Sequence, residues 1–190
     1  FSSFNQQVQT AGIDLNRNVG KIGVTLTWRL GRTGLNGKDF SHSNQLAAGL
    51  ARSFGAKWQV RGSYSWTDRA YAGRPARDAV NQALSLDGYY YLSSPANFLT
   101  AGLRHAREET QSPQFSFDGD SMRARLGRRF RWQDRALSAQ LAWQYEDRRY
   151  DGVTAAVGEP RRDRRSVMSA RLDIPVMADF TLSGDYAVGN

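Results

Sequence analysis

Hydrophobic and polar residues alternate along most of this chain, most regularly over Lys21–Gly31. Ile22, Val24, Leu26, Trp28 and Leu30 share one parity, and Lys21, Gly23, Thr25, Thr27 and Arg29 share the other. Period-2 alternation describes a β-strand with one apolar and one polar face. The run is long, because strands of soluble proteins average about 5–6 residues whereas a strand that crosses a bilayer needs about 9–11.

Nine further segments repeat the pattern. Gln7–Arg17 precedes the run, with Ala11, Ile13 and Leu15 on its apolar side. Leu46, Ala48 and Leu50 mark the third segment, and Trp58, Val60, Gly62, Tyr64 and Trp66 the fourth. Val80, Leu84, Leu86 and Tyr90 mark the fifth, and Leu99, Ala101 and Leu103 the sixth. The seventh carries Met122, Ala124, Leu126, Phe130 and Trp132, and the eighth Leu137, Ala139, Leu141, Trp143 and Tyr145. Met168, Ala170, Leu172 and Ile174 give the ninth, and Phe180, Leu182, Tyr186 and Val188 the tenth.

Tight turns are expected at Asn16–Gly20, Gly55–Lys57, Ser93–Asn97 and Pro175–Asp179, from their Gly, Pro and Asn content, and a tight connection at Gln133–Arg135. Between them the polar stretches Arg32–Ser41, Asp68–Ala79, Glu108–Asp118 and Asp147–Arg165 read as longer loops. Short turns on one side and long loops on the other are the asymmetry of outer-membrane barrels. Aromatic residues gather at the segment ends. Phe54, Trp58, Phe98, Phe130, Trp132 and Phe180 lie toward the short turns, and Trp28, Trp66, Tyr90, Trp143, Tyr145 and Tyr186 toward the long loops. Two such girdles suit the two membrane interfaces.

These features predict an all-β protein: a transmembrane, antiparallel, up-and-down β-barrel of about ten strands over residues 1–190, in the outer membrane of a Gram-negative bacterium. A soluble sandwich would also alternate, but strand length, loop asymmetry and paired girdles favour the membrane. A propeller repeat would need four short strands where this chain supplies two long ones. With short turns placed in the periplasm, the first segment descends from the cell exterior and the tenth returns to it. Bacterial barrels ordinarily have an even strand count and both termini in the periplasm. Further strands at each end, and a barrel of twelve or more, are therefore expected.

Composition sharpens this picture. The hydrophobic fraction is only 40%, and no window approaches the roughly 18–20 apolar residues of a transmembrane helix. There is no cysteine, and the two histidines, His42 and His105, cannot make a His-rich metal site, so neither cofactor nor metal is expected. Neither histidine has a spacing that compels a catalytic triad, and no enzyme activity is expected. The net charge of +8 comes from 26 Lys and Arg against 18 Asp and Glu. On the polar parity lie Lys21, Arg29, Arg61, Arg104, Arg123, Arg125, Arg129, Arg131 and Arg171, with Asp14, Asp87, Glu146, Asp173 and Asp185 as available partners. They form either a cationic pore wall that attracts anions or a set of cross-strand ion pairs that keep the barrel rigid. Arg123–Arg131 is the least balanced cluster, with only Glu146 nearby, and is the leading candidate site. Nucleic acid is a poor partner, since the aromatics and arginines lie on opposite parities. The run Arg161–Arg165 suits anionic lipopolysaccharide or solvent.

The end of the chain, residues 161–190, resembles the barrel of the surface lipoprotein assembly modifier family. A charged outer loop enters an alternating strand, the Pro175 turn follows, and then Phe180-x-Leu182-x-x-x-Tyr186. The resemblance implies a protein-translocating barrel of about fourteen strands, coupled in that family to a periplasmic tetratricopeptide domain. Its implied partner is a translocated lipoprotein, beside the outer-membrane lipid and lipopolysaccharide expected around any such barrel. Two other functions fit the pattern: a porin for anionic solutes or an exporter of anionic polysaccharide, and a structural or adhesive barrel that binds partners through its outer loops.

Overall fold

The computed structural model describes residues 5–132, 135–153, 158–177 and 180–190, apart from the side chains of Ser93, Trp132, Met177 and Phe180. Ten strands form: β1 (Gln6–Val19), β2 (Ile22–Leu35), β3 (Lys38–Phe54), β4 (Trp58–Tyr71), β5 (Ala79–Ser94), β6 (Asn97–Thr110), β7 (Phe117–Trp132), β8 (Arg135–Val153), β9 (Pro160–Met177) and β10 (Phe180–Gly189). They lie in one sheet in sequence order, each antiparallel to the next. This is the meander that the alternating segments predict.

The sheet curls into a wall. One cavity of about 950 Å³ is lined by Thr10 of β1, Arg29 of β2, Ser65 of β4, Arg104 of β6, Glu146 of β8 and Arg165 of β9. All of these belong to the polar parity, so that parity faces the interior. The apolar parity faces out: Leu15, Leu84, Met168 and Tyr186 keep 60–68% of their surface exposed. Among the described residues only Ala79, Ala83, Phe117 and Leu137 are buried hydrophobics. A soluble barrel of this length would bury its apolar parity. Here it is presented outward, as a bilayer requires.

The structure corrects the expected long loops. Arg32–Ser41 is not a loop, because β2 and β3 continue to a two-residue Asn36-Gly37 turn, both residues at positive φ. Asn-Gly at positive φ matches the twist of the flanking strands. Asp147–Arg165 is likewise mostly strand, since β8 extends to Val153 and β9 starts at Pro160; residues 154–157 lie outside the described set. Asp68–Ala79 shortens to residues 72–78 around a 3₁₀ turn at Pro75–Arg77, and Glu108–Asp118 to residues 111–116 around one at Pro113–Phe115. These hairpin arms are polar on both faces because both faces meet water beyond the membrane, while the backbone ladder continues regardless of side-chain polarity.

Pro175 also differs from expectation. It lies within β9 opposite Thr181, beside a register shift at Phe180/Thr181. Proline cannot donate to a ladder and is tolerated next to such a bulge.

Candidate lumenal site

Antiparallel register places residues of one parity side by side on adjacent strands. Across β4 to β8 one row reads Arg61, Asp87, Gly102, Arg123 and Gln144. The row toward the longer connections reads Ser63, Ser85, Arg104, Ser121 and Glu146, and the row toward the short turns Gln59, Tyr89, Thr100, Arg125 and Ala142. A second cavity, of about 810 Å³, is lined by Arg61, Arg104, Arg123, Arg125, Asp87 and Tyr89, and reaches Pro95 and Phe98 at the short-turn end.

Asp87 and Arg123 make the best-defined contact in this chamber. Arg123 donates from Nε to Oδ1 at 2.9 Å and from Nη2 to Oδ1 and Oδ2 at 2.7 and 2.6 Å. Asp87 is only 6% exposed. The two residues are on strands that are not adjacent, and the side chains meet over Gly102 of β6. A Cβ there would lie 2.1 Å from Asp87 Oδ1 and 2.9 Å from Arg123 Nε. A mid-strand glycine often marks such a close approach, and Gly102 is the sequence signal for this contact.

The nine candidate basic residues divide into three groups. Arg29 lies 3.7 Å from Asp14, Arg171 pairs with Asp173 at 3.0 Å and with Asp185 at 3.9 Å, and Arg123 holds Asp87. Arg61, Arg104 and Arg125 line the chamber with no carboxylate within 4 Å among the described residues. The third group lies away from it: Lys21 is in the β1–β2 turn, and Arg129 and Arg131 are exposed at the short-turn end of β7. The cluster at Arg123–Arg131 is therefore not a unit. Glu146 does not balance it either, because it pairs with Arg148 at 2.7 Å.

The outward aromatics follow register. Trp28 donates from Nε1 to Asn44 Oδ1 at 2.8 Å, and Trp143 to Ser166 Oγ at 3.2 Å while stacked on Tyr145. Trp66 and Tyr186 share this outward parity toward the longer connections. Trp58 packs against Tyr90 with centroids 4.5 Å apart, so Tyr90 belongs to the short-turn end and not to the other. Phe98 is not a girdle residue. It faces inward, and a Cβ at Gly127 would lie 2.5 Å from its ring. The side chains of Trp132 and Phe180 lie outside the described residues.

Beyond the longer-connection interface, the first turn of charges on β9 divides between faces. Arg162 and Arg164 point outward toward Asp147, while Arg165 lies opposite Glu146 on the inward parity. A hydrogen bond from Arg162 holds the Asp147 carboxyl below its ordinary range, against some opposing burial. Arg161 does the same for Asp163, with help from Tyr150. His105 is outward as well, with Nδ1 2.9 Å from Asp120 Oδ1, and Asp120 also meets Arg149 at 3.0 Å.

An antiparallel wall that is apolar outside and charged inside defines an outer-membrane β-barrel. A family model described as surface lipoprotein assembly modifier matches residues 3–182, and the chain belongs to that family. It is thus an outer-membrane protein of a Gram-negative bacterium, of the class that acts in translocation across that membrane. Among solved structures it is similar to the β domain of the Bordetella autotransporter BrkA, at 14% identity and a TM-score of 0.45, covering 100% of this chain and 86% of that one. It is also similar to the translocator domain of the autotransporter NalP from Neisseria meningitidis, at 15% identity and a TM-score of 0.44, covering 98% and 74%. No curated protein matches the chain.

Proposed function

We propose that this barrel acts in the delivery of lipoproteins to the outer surface of the outer membrane. The observation that carries this reading is the family match over residues 3–182. A polar interior lined from β1 to β9 within an apolar wall supports it, because a polypeptide in transit needs water-like contacts that lipid does not provide. The outward arginines at the rim, Arg149, Arg162 and Arg164, sit where lipopolysaccharide phosphates would meet them.

The test is surface display in the native host. Deletion of the gene should leave the total amount of an epitope-tagged lipoprotein substrate unchanged and remove its accessibility to protease on intact cells. A plasmid copy should restore it. Full accessibility of every surface lipoprotein in the deletion strain would refute the proposal.

A further inference from the structure

The chamber between β4 and β8 carries more positive charge than its own carboxylate neutralises. Arg61, Arg104, Arg123 and Arg125 face it together with Asp87, four cations against one anion. Asp87 already spends both oxygens on Arg123. Three guanidiniums remain without a carboxylate in a recess whose walls concentrate their field.

We propose that this chamber binds an acidic polypeptide segment through carboxylates paired to Arg61, Arg104 and Arg125. Planar guanidinium forks favour carboxylate, which they can grip with two parallel hydrogen bonds. Spacing selects a chain over a single small anion. The three arginines occupy three successive register rows, and rows are about 7 Å apart along a strand. They also stand on three different strands, β7, β4 and β6, at about 4.8 Å per strand, so their backbone positions form a triangle with sides of roughly 12–16 Å. One phosphate or acetate is too small to bridge such a triangle, whereas the side chains of a polypeptide segment lying in the chamber can reach all three corners, alternate residues of such a chain standing about 7 Å apart. Seryl and tyrosyl side chains between the arginines, Ser63, Ser85 and Tyr89, can satisfy the peptide's backbone groups.

This deepens the export reading, and rests on it only in taking the passenger as the natural source of the segment. The experiment is fluorescence anisotropy of labelled hexaglutamate with the purified full-length protein in detergent at low ionic strength. Saturable binding that weakens with salt is expected. It should fall about tenfold or more in R61Q/R104Q/R125Q and persist in R52Q/R128Q, which removes two outward cations. Heat-modifiable gel mobility reports folding, and if the triple variant does not fold, each single substitution should still weaken binding severalfold. Absence of binding, equal binding by the folded variants, or displacement by millimolar inorganic phosphate as readily as by unlabelled hexaglutamate would each overturn the proposal. Surface display stands apart: normal export with no hexaglutamate binding removes this site and leaves the export reading standing.

Discussion

Gly102 contributes by what it lacks. Any Cβ at that position would enter the space through which Arg123 reaches Asp87. The same device recurs at Gly12, where Arg29 crosses toward Asp14, and at Gly127, which receives the ring of Phe98. Gly102→Val should separate Asp87 from Arg123 and leave a nearly buried carboxylate without its strongest partner. Losing a charge-assisted hydrogen-bonded contact of this kind costs about 1–3 kcal/mol, to be read as a lower urea midpoint for unfolding from lipid vesicles. Asp87→Asn should show a similar loss, and the double variant should lose little more than either single one, since both act on one interaction. Additive losses would place the role of Gly102 elsewhere. Asp87 and Arg123 were legible as polar-parity residues, but their partnership was not. It skips a strand, from β5 to β7, and no local spacing in the sequence records a contact of that kind.

At the level of the strand, β2 shows how strongly the two faces differ. Leu26 is half exposed on the outward side, while Thr25 donates a hydrogen bond to Asn16 on the inward side at 2.9 Å. Leu26→Arg should destabilise by about 2–4 kcal/mol if the site lies near the bilayer midplane, and Thr25→Arg by far less. Refolding titrations into vesicles would measure both, and equal tolerance would contradict the assigned faces. The β8–β9 arm makes a different prediction, because it stands beyond the membrane and is held by Asp147 with Arg162 and Asp163 with Arg161. Both carboxyls titrate below their ordinary value when folded. Their contribution is therefore complete above the unfolded carboxylate pKa of about 4 and is lost as pH falls through the lower folded values. Amide exchange in this arm should accelerate below about pH 4 while the spanning part of the same strands stays protected. Uniform protection down to lower pH would show that these pairs do not hold the arm.

For the whole molecule, strand number, order and the two faces were legible because alternation is a local property, written into every second residue of Gln7–Arg17 or Trp58–Thr67. Family membership was legible too, from a charged approach and an alternating strand within residues 161–182, the part of that stretch the family model matches. The hairpin arms at Arg32–Ser41 and Asp147–Arg165 read as loops in the sequence, since polarity on both faces looks the same in a coil and in a strand surrounded by water. The sequence by itself determined which residues share a face and that the chain would cross a membrane as strands. Only the tertiary structure decided that Asp87 serves Arg123 across Gly102, that Glu146 serves Arg148, and that Arg61, Arg104 and Arg125 are left facing one chamber. Ion pairing depends on register and on which side chain is short enough to be crossed, and both are set by the curvature of the assembled sheet.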